Sequence, residues 1–98
     1  MGQQLRTAGS IIDDRIAEAT RGDVDALLDL GMAYSSGGGG IGLDLVEAHK
    51  WFNLAALNGS ERGQQCRAEI AEDMTAREIA NAQKAARAWL GVTVRVAA

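Results

Sequence analysis

Ninety-eight residues, 47% of them hydrophobic, allow one domain with a packed interior, near the lower end of what holds a core without covalent staples. The net charge of -3, with no basic stripe interleaved with aromatics, gives no reason to expect a nucleic-acid partner. No apolar run approaches the roughly 20 residues that a membrane span needs, and the single cysteine, Cys66, excludes an internal disulfide framework.

Residues 1–9 are expected to form a flexible N-terminal segment. They hold no hydrophobic signal core. Arg6 stands where an N-myristoylation pattern wants serine or threonine, so the cytoplasm is the expected compartment. The first helix is predicted over residues 11–21, with Ser10 as N-cap, Asp13 and Asp14 in the first turn and Gly22 closing it. Asp23 is placed to cap a second helix over residues 24–35, whose apolar set Leu27, Leu30, Ala33 and Tyr34 follows helical spacing. A glycine run over residues 37–40, then Ile41 and Gly42, separates it from the third. Asp44 and Glu47 read as a capping box opening that third helix, residues 45–58, and Gly59 supplies the left-handed residue that ends it.

Ser60 is placed to cap a fourth helix over residues 61–74, with Gly63, Cys66, Ile70 and Met74 on one stripe. Thr75 and Glu78 make a second capping box for a long fifth helix ending at residue 90. Its buried face is expected to be Ile79, Ala82, Ala86, Trp89 and Leu90, and Gly91 is expected to stop it. Beyond, Val92, Val94 and Val96 alternate with period two, a strand-like tail that would pack along the last helix or pair with another chain.

Two of these helices share one signature, Ala48-x-x-Trp51-Phe52 and Ala86-x-x-Trp89-Leu90, 38 residues apart. Self-similarity at that period marks stacked helical hairpins, each burying its apolar face only against its neighbour. Aromatics are few, and the alanines that replace them imply close approach of helix axes. The expected fold class is all-α, about five helices in stacked antiparallel hairpins over residues 10–90, with residues 91–98 as a tail.

Within residues 22–59 the order runs Ala26, Leu30-Gly31-x-x-Tyr34, Gly37-x-Gly39, Asp44, Ala48-x-x-Trp51-Phe52, Ala55-Ala56 and Gly59. This series resembles the Sel1-like repeat, a relative of the tetratricopeptide repeat. Its loop departs from the family pattern, being one residue too long, with extra glycine in place of a valine region. Residues 16–21 resemble the end of a preceding unit. Residues 60–90 resemble a degenerate one that keeps Ala86 and Trp89 but has Arg67-Ala68 for Leu-Gly and Ala71 for the tyrosine. The resemblance implies an α-solenoid adaptor, of a kind common in bacteria, that binds proteins and has no activity of its own. The residues ask for the same roles by size alone: Gly31 and Ala48 are small where helices nearly touch, and Tyr34 and Trp51 are bulky fillers.

Gly37, Gly39 and Gly42 match the dinucleotide pattern Gly-x-Gly-x-x-Gly, but a helix precedes them and Asp44 puts negative charge where a phosphate would sit, so an interhelical loop is expected. His49, the only histidine, lacks partners at ligand spacing and is expected to be a partly exposed surface residue. Cys66 is expected to be a small core residue. The pairs Asp25–Asp29 and Asp14–Glu18 are spaced for paired carboxylate chemistry but fit solvated helix faces better. No catalytic, cofactor or metal site is expected, and the chain is not read as an enzyme.

In repeats of this kind the first helix of each hairpin lines the concave side. On the second helix that leaves Asp25, Leu28, Asp29 and Met32, an apolar i, i+4 pair with a charged rim, and on the fourth Arg62, Gln65 and Glu69. This groove is expected to receive a peptide or helix of another protein, with Leu28 and Met32 as anchors, unless neighbouring helices simply bury them. The alternative is a self-associating structural or regulatory domain that dimerises through its C-terminal helix and tail. Residues 1–49 carry eight acids against three bases and residues 50–98 five against seven, an imbalance compatible with head-to-tail association or with a plain solvated surface.

Overall fold

Short helices depend on their ends, and this chain supplies a side chain or a glycine at most of them. The computed structural model describes residues 8–37 and 41–97. Among the described residues there are five helices and no strand: α1 (Ala8–Thr20), α2 (Val24–Ser36), α3 (Leu45–Leu57), α4 (Glu61–Ala71) and α5 (Ala76–Ala97). The Asp23 carboxylate accepts from the Ala26 N–H at 3.2 Å and the Ser60 hydroxyl from the Gly63 N–H at 2.9 Å, starting α2 and α4. At α5 the box is complete, with the Glu78 N–H on the Thr75 hydroxyl at 3.1 Å and the Thr75 N–H on the Glu78 carboxylate at 2.8 Å. Gly22, Gly37 and Gly59 end the first three helices at φ of 85°, 67° and 96°, in the left-handed region where a Cβ is costly.

Several expectations are corrected. The box at α3 is half made: the Asp44 carboxylate accepts from the Glu47 N–H at 3.0 Å, but the Asp44 N–H donates to the Tyr34 carbonyl at 3.0 Å. That bond ties the end of α2 to the start of α3 across the glycine loop, whose residues 38–40, Gly39 among them, lie outside the described set. The flexible segment assigned to residues 1–9 also lies largely outside it. Helix α1 already includes Ala8, so Ser10 is inside the helix and not its cap, and Asp13 and Asp14 lie beyond the first turn. Helix α4 ends at Ala71, because the N–H groups of Asp73 and Met74 bond three residues back, to Ile70 and Ala71, and tighten the chain out of the α-helical ladder.

The largest correction is at the C-terminus. Gly91 does not stop α5, which runs on to Ala97, so no strand-like tail exists. Val92 and Val96 satisfy helical i, i+4 spacing as well as alternation, and a short apolar run cannot decide between the two periods. The Thr93 hydroxyl bonds to the carbonyls of Trp89 and Leu90 at 3.0 and 3.3 Å, within the same helix.

Helix α3 is the centre of the packing: α2, α4 and α5 all lie against it, α1 lies against α2, and α4 touches α2 lightly. Helices α4 and α5 make at most marginal contact with each other. The molecule measures 49 × 35 × 22 Å, so its thin dimension is about two helix diameters. Leu27, Leu30, Trp51, Phe52 and Leu54 fill the interior, and Ala19, Ala26, Ala48, Ala55, Ala82 and Ala86 are buried among the described residues. Close approach is sharpest at two glycines. A Cβ on Gly31 would overlap the buried Phe52 ring, and one on Gly63 would lie 2.9 Å from the Ala55 Cβ and 3.1 Å from the Phe52 carbonyl oxygen.

These contacts set opposite signs for one substitution. Gly31→Ala and Gly63→Ala should each lower the unfolding free energy by about 1–3 kcal/mol. Gly91→Ala, in a helix interior with open space around it, should raise it by about 0.5–1 kcal/mol. Gly42→Ala, also in open space, should leave it within about 0.5 kcal/mol. Urea titration of the four variants checks the series, and a loss at Gly91 would mean that this residue ends the helix after all.

Candidate functional site

Helix α2 presents two faces. Ala26, Leu27, Leu30 and Gly31 are buried against the rest of the fold. The opposite face carries Asp25 and Asp29, both exposed, with Leu28 half-buried and Met32 40% exposed. Met32 is thus open to solvent, and Leu28 keeps part of its surface free. On α4, Arg62, Gln65 and Glu69 are all exposed, and Gly63 is the buried residue of that helix.

Helix α1 adds residues that sequence reasoning did not place here. The Arg15 guanidinium meets the Asp29 carboxylate at 3.5 Å and the Glu18 carboxylate at 3.0 Å, which sets α1 alongside the outward face of α2. Ile11, one turn before Arg15, is 45% exposed. The spacing of Ile11, Asp14, Arg15 and Glu18 puts them on one face of a helix, which also lines a cleft, but it does not show that this face adjoins α2.

The motif residues hold the scaffold. Ala48, Trp51 and Ala55 of α3 and Ala86 of α5 are at most 2% exposed, while Ala56 and Tyr34 are half-buried. Partial burial raises the Tyr34 phenol above its ordinary value, with smaller contributions from Glu47, Asp44 and Asp13. The two tryptophans of the repeated signature meet: the Trp51 and Trp89 rings stand edge to face, 4.8 Å apart at 74°. Glu47 accepts from Lys50 Nζ at 2.6 Å and from the Trp51 indole N–H at 3.2 Å, and Lys50 lies 4.2 Å over the Trp51 ring. Beside this cluster, an open cleft of about 260 Å³ has Leu27, Leu54, Trp89 and Leu90 in its walls.

His49 is not a surface residue. It is 3% exposed, and its Nδ1 is buried without a hydrogen-bond partner. Burial is the main cause that lowers its pKa, and the nearby Arg67 cation adds to it. Arg67 itself donates to the Asn53 side-chain oxygen, spanning α4 and α3. Cys66 is only half-buried and so is not a true core residue. Among the described residues no three His, Cys, Asp or Glu side chains converge as a metal site, and no helix is long and apolar enough to cross a membrane.

The fold therefore favours neutral His49. Its contribution to stability is complete above the ordinary histidine pKa of 6.5 and falls as the pH drops below that value, because the unfolded chain takes up the proton first. Urea titrations at about pH 7.5 and about pH 5.5 should show a smaller loss on acidification in His49→Gln than in the parent chain. An equal loss in both would remove the assignment. The chain matches no family model, no curated protein and no solved structure in the comparisons made.

Proposed function

We propose that the chain is a protein-interaction module of Sel1-like, tetratricopeptide-like build, with no activity or cofactor of its own, that presents its α2 face to a peptide or protein partner. The observation that carries this reading is the Leu28–Met32 strip, half-buried at Leu28, exposed at Met32 and rimmed by Asp25 and Asp29, on a helix whose other face is packed. The Sel1-like part is supported by the residues its pattern names: Gly31 seated under Phe52, Ala48 and Trp51 in the interior, and left-handed Gly37 and Gly59 at helix ends. The marginal contact of α4 with α5 departs from a regular stack of hairpins. The mechanism would be rigid presentation: a partner side chain buries Leu28 and Met32, and the charged rim sets orientation.

Affinity capture with the immobilised chain tests the reading. Proteins retained by the parent and identified by mass spectrometry should be lost with a Leu28→Ser, Met32→Ser double variant that keeps its helical circular dichroism. Retention by both would place binding elsewhere.

Self-association is a second reading, favoured by Val92, 58% exposed on the last turns of α5, and by Leu57, 63% exposed at the end of α3. Light scattering should then give a dimer for the full chain and a monomer for a chain ending at Gly91. A monomeric full chain removes this reading.

A further inference from the structure

The α1–α2 hairpin fixes which chemistry its open face prefers. Joined by the turn at residues 21–23, the two helices run antiparallel, and the Arg15–Asp29 pair sets their register. Ile11 lies one turn before Arg15 and Met32 about one turn after Asp29, so these two exposed side chains share one end of the face, with half-buried Leu28 one turn behind Met32. Glu18 and Asp25, about one turn the other way, share the opposite end. Asp14 stands three residues from Ile11 on the same stripe. The one base among them, Arg15, already contacts two carboxylates, Glu18 and Asp29. Among the described residues the face therefore combines an apolar patch with four acids, two of which, Glu18 and Asp29, pair with the one cation, Arg15.

We propose that the α1–α2 face is a docking site for a basic amphipathic helix of a partner protein, whose aliphatic side chains sit on Ile11, Leu28 and Met32 and whose Lys or Arg side chains meet Glu18, Asp25 and Asp29. The proposal rests on the reading of the α2 face as an interaction surface, and adds the charge and shape of what it takes. A helix suits the patch because its apolar residues recur at one-turn spacing, as Leu28 and Met32 do. Complementary charge steers the encounter and rejects acidic competitors, while the aliphatic contacts slow dissociation.

Two synthetic helices of about 15 residues test it, sharing one leucine stripe at i, i+3, i+4 and i+7 but carrying lysine or glutamate on the polar face. The lysine peptide should bind the full chain, measured by fluorescence anisotropy at about 50 mM salt, and weaken as salt rises. Asp25→Asn with Asp29→Asn should weaken it about fivefold. Ile11→Ser with Met32→Ser, both at exposed positions and with helical circular dichroism kept, should weaken it about tenfold or more. Equal or tighter binding of the glutamate peptide, lost in the Ile11 and Met32 variant, would keep the interaction surface and overturn its basic partner. Lysine-peptide binding that ignores the Ile11 and Met32 variant is charge attraction alone and overturns the docking site. Binding of neither peptide overturns both the site and the reading beneath it.

Discussion

Gly31 and Gly63 decide how near α3 can come to its neighbours on either side in sequence. The Phe52 ring occupies the space a side chain at Gly31 would need, and the Phe52 carbonyl faces the backbone of α4 at Gly63. Phe52 is 1% exposed, so the ring has nowhere to swing. One aromatic residue thus gauges two helix contacts, its ring against α2 and its backbone against α4. Once the axes are that close, alanines at Ala26, Ala48 and Ala55 suffice to close the remaining space. Small residues set the distances. The larger ones, Leu27, Leu30, Trp51, Phe52 and Leu54, supply most of the apolar burial, on the order of 1.5–3 kcal/mol each.

The same logic explains why the second hairpin opens. Gly63 stands 37 residues after Ala26 and serves as another small contact, but the places equivalent to Leu30 and Gly31 hold Arg67 and Ala68. Arg67 turns to Asn53 on α3, and Ala68 is exposed. Helix α4 therefore offers no glycine seat and no leucine for α5. That helix lies instead against α3, with Ala82 and Ala86 buried, and brings Trp89 edge-on to Trp51. Two positions that correspond in sequence become direct neighbours in space.

Helix number and most boundaries were legible in the sequence because they are written in local chemistry. Asp23, Ser60, Thr75 and Glu78 make the caps their spacing promises, and Gly22, Gly37 and Gly59 adopt the left-handed backbone their positions ask for. What failed was decided by competition or by tertiary context. Glu47 does not close the box: its carboxylate accepts from Lys50 and Trp51, and the Asp44 N–H donates to the Tyr34 carbonyl instead. Gly91 is a helix breaker only if the next residues prefer another state, and Thr93 bonds back into the helix. His49 sits beside charged Lys50 in sequence, yet helical rotation turns it to the interior. The outward face of α2 followed from subtracting its core residues. Ile11, Arg15 and Glu18 did not, because only the Arg15–Asp29 pair shows which side of α1 adjoins it.

Burial is unevenly distributed, and that bears on which surfaces are rigid. Helix α2 buries Ala26, Leu27, Leu30 and Gly31, and α3 buries Ala48, His49, Trp51, Phe52, Leu54 and Ala55, whereas α4 buries Gly63 alone. Its joint with α3 also includes polar groups, with Arg67 on Asn53 and His49 buried nearby. Local opening costs least where apolar contacts are few. A partner that reached across to Arg62, Gln65 and Glu69 would have to hold α4 in place, and part of its binding free energy would go to that ordering. One that used the outward face of α2 would meet a helix whose inner face is packed against α3, the most extensive helix contact among the described residues. Preorganisation thus favours the acidic half of the surface, where the exposed aliphatic residues also lie.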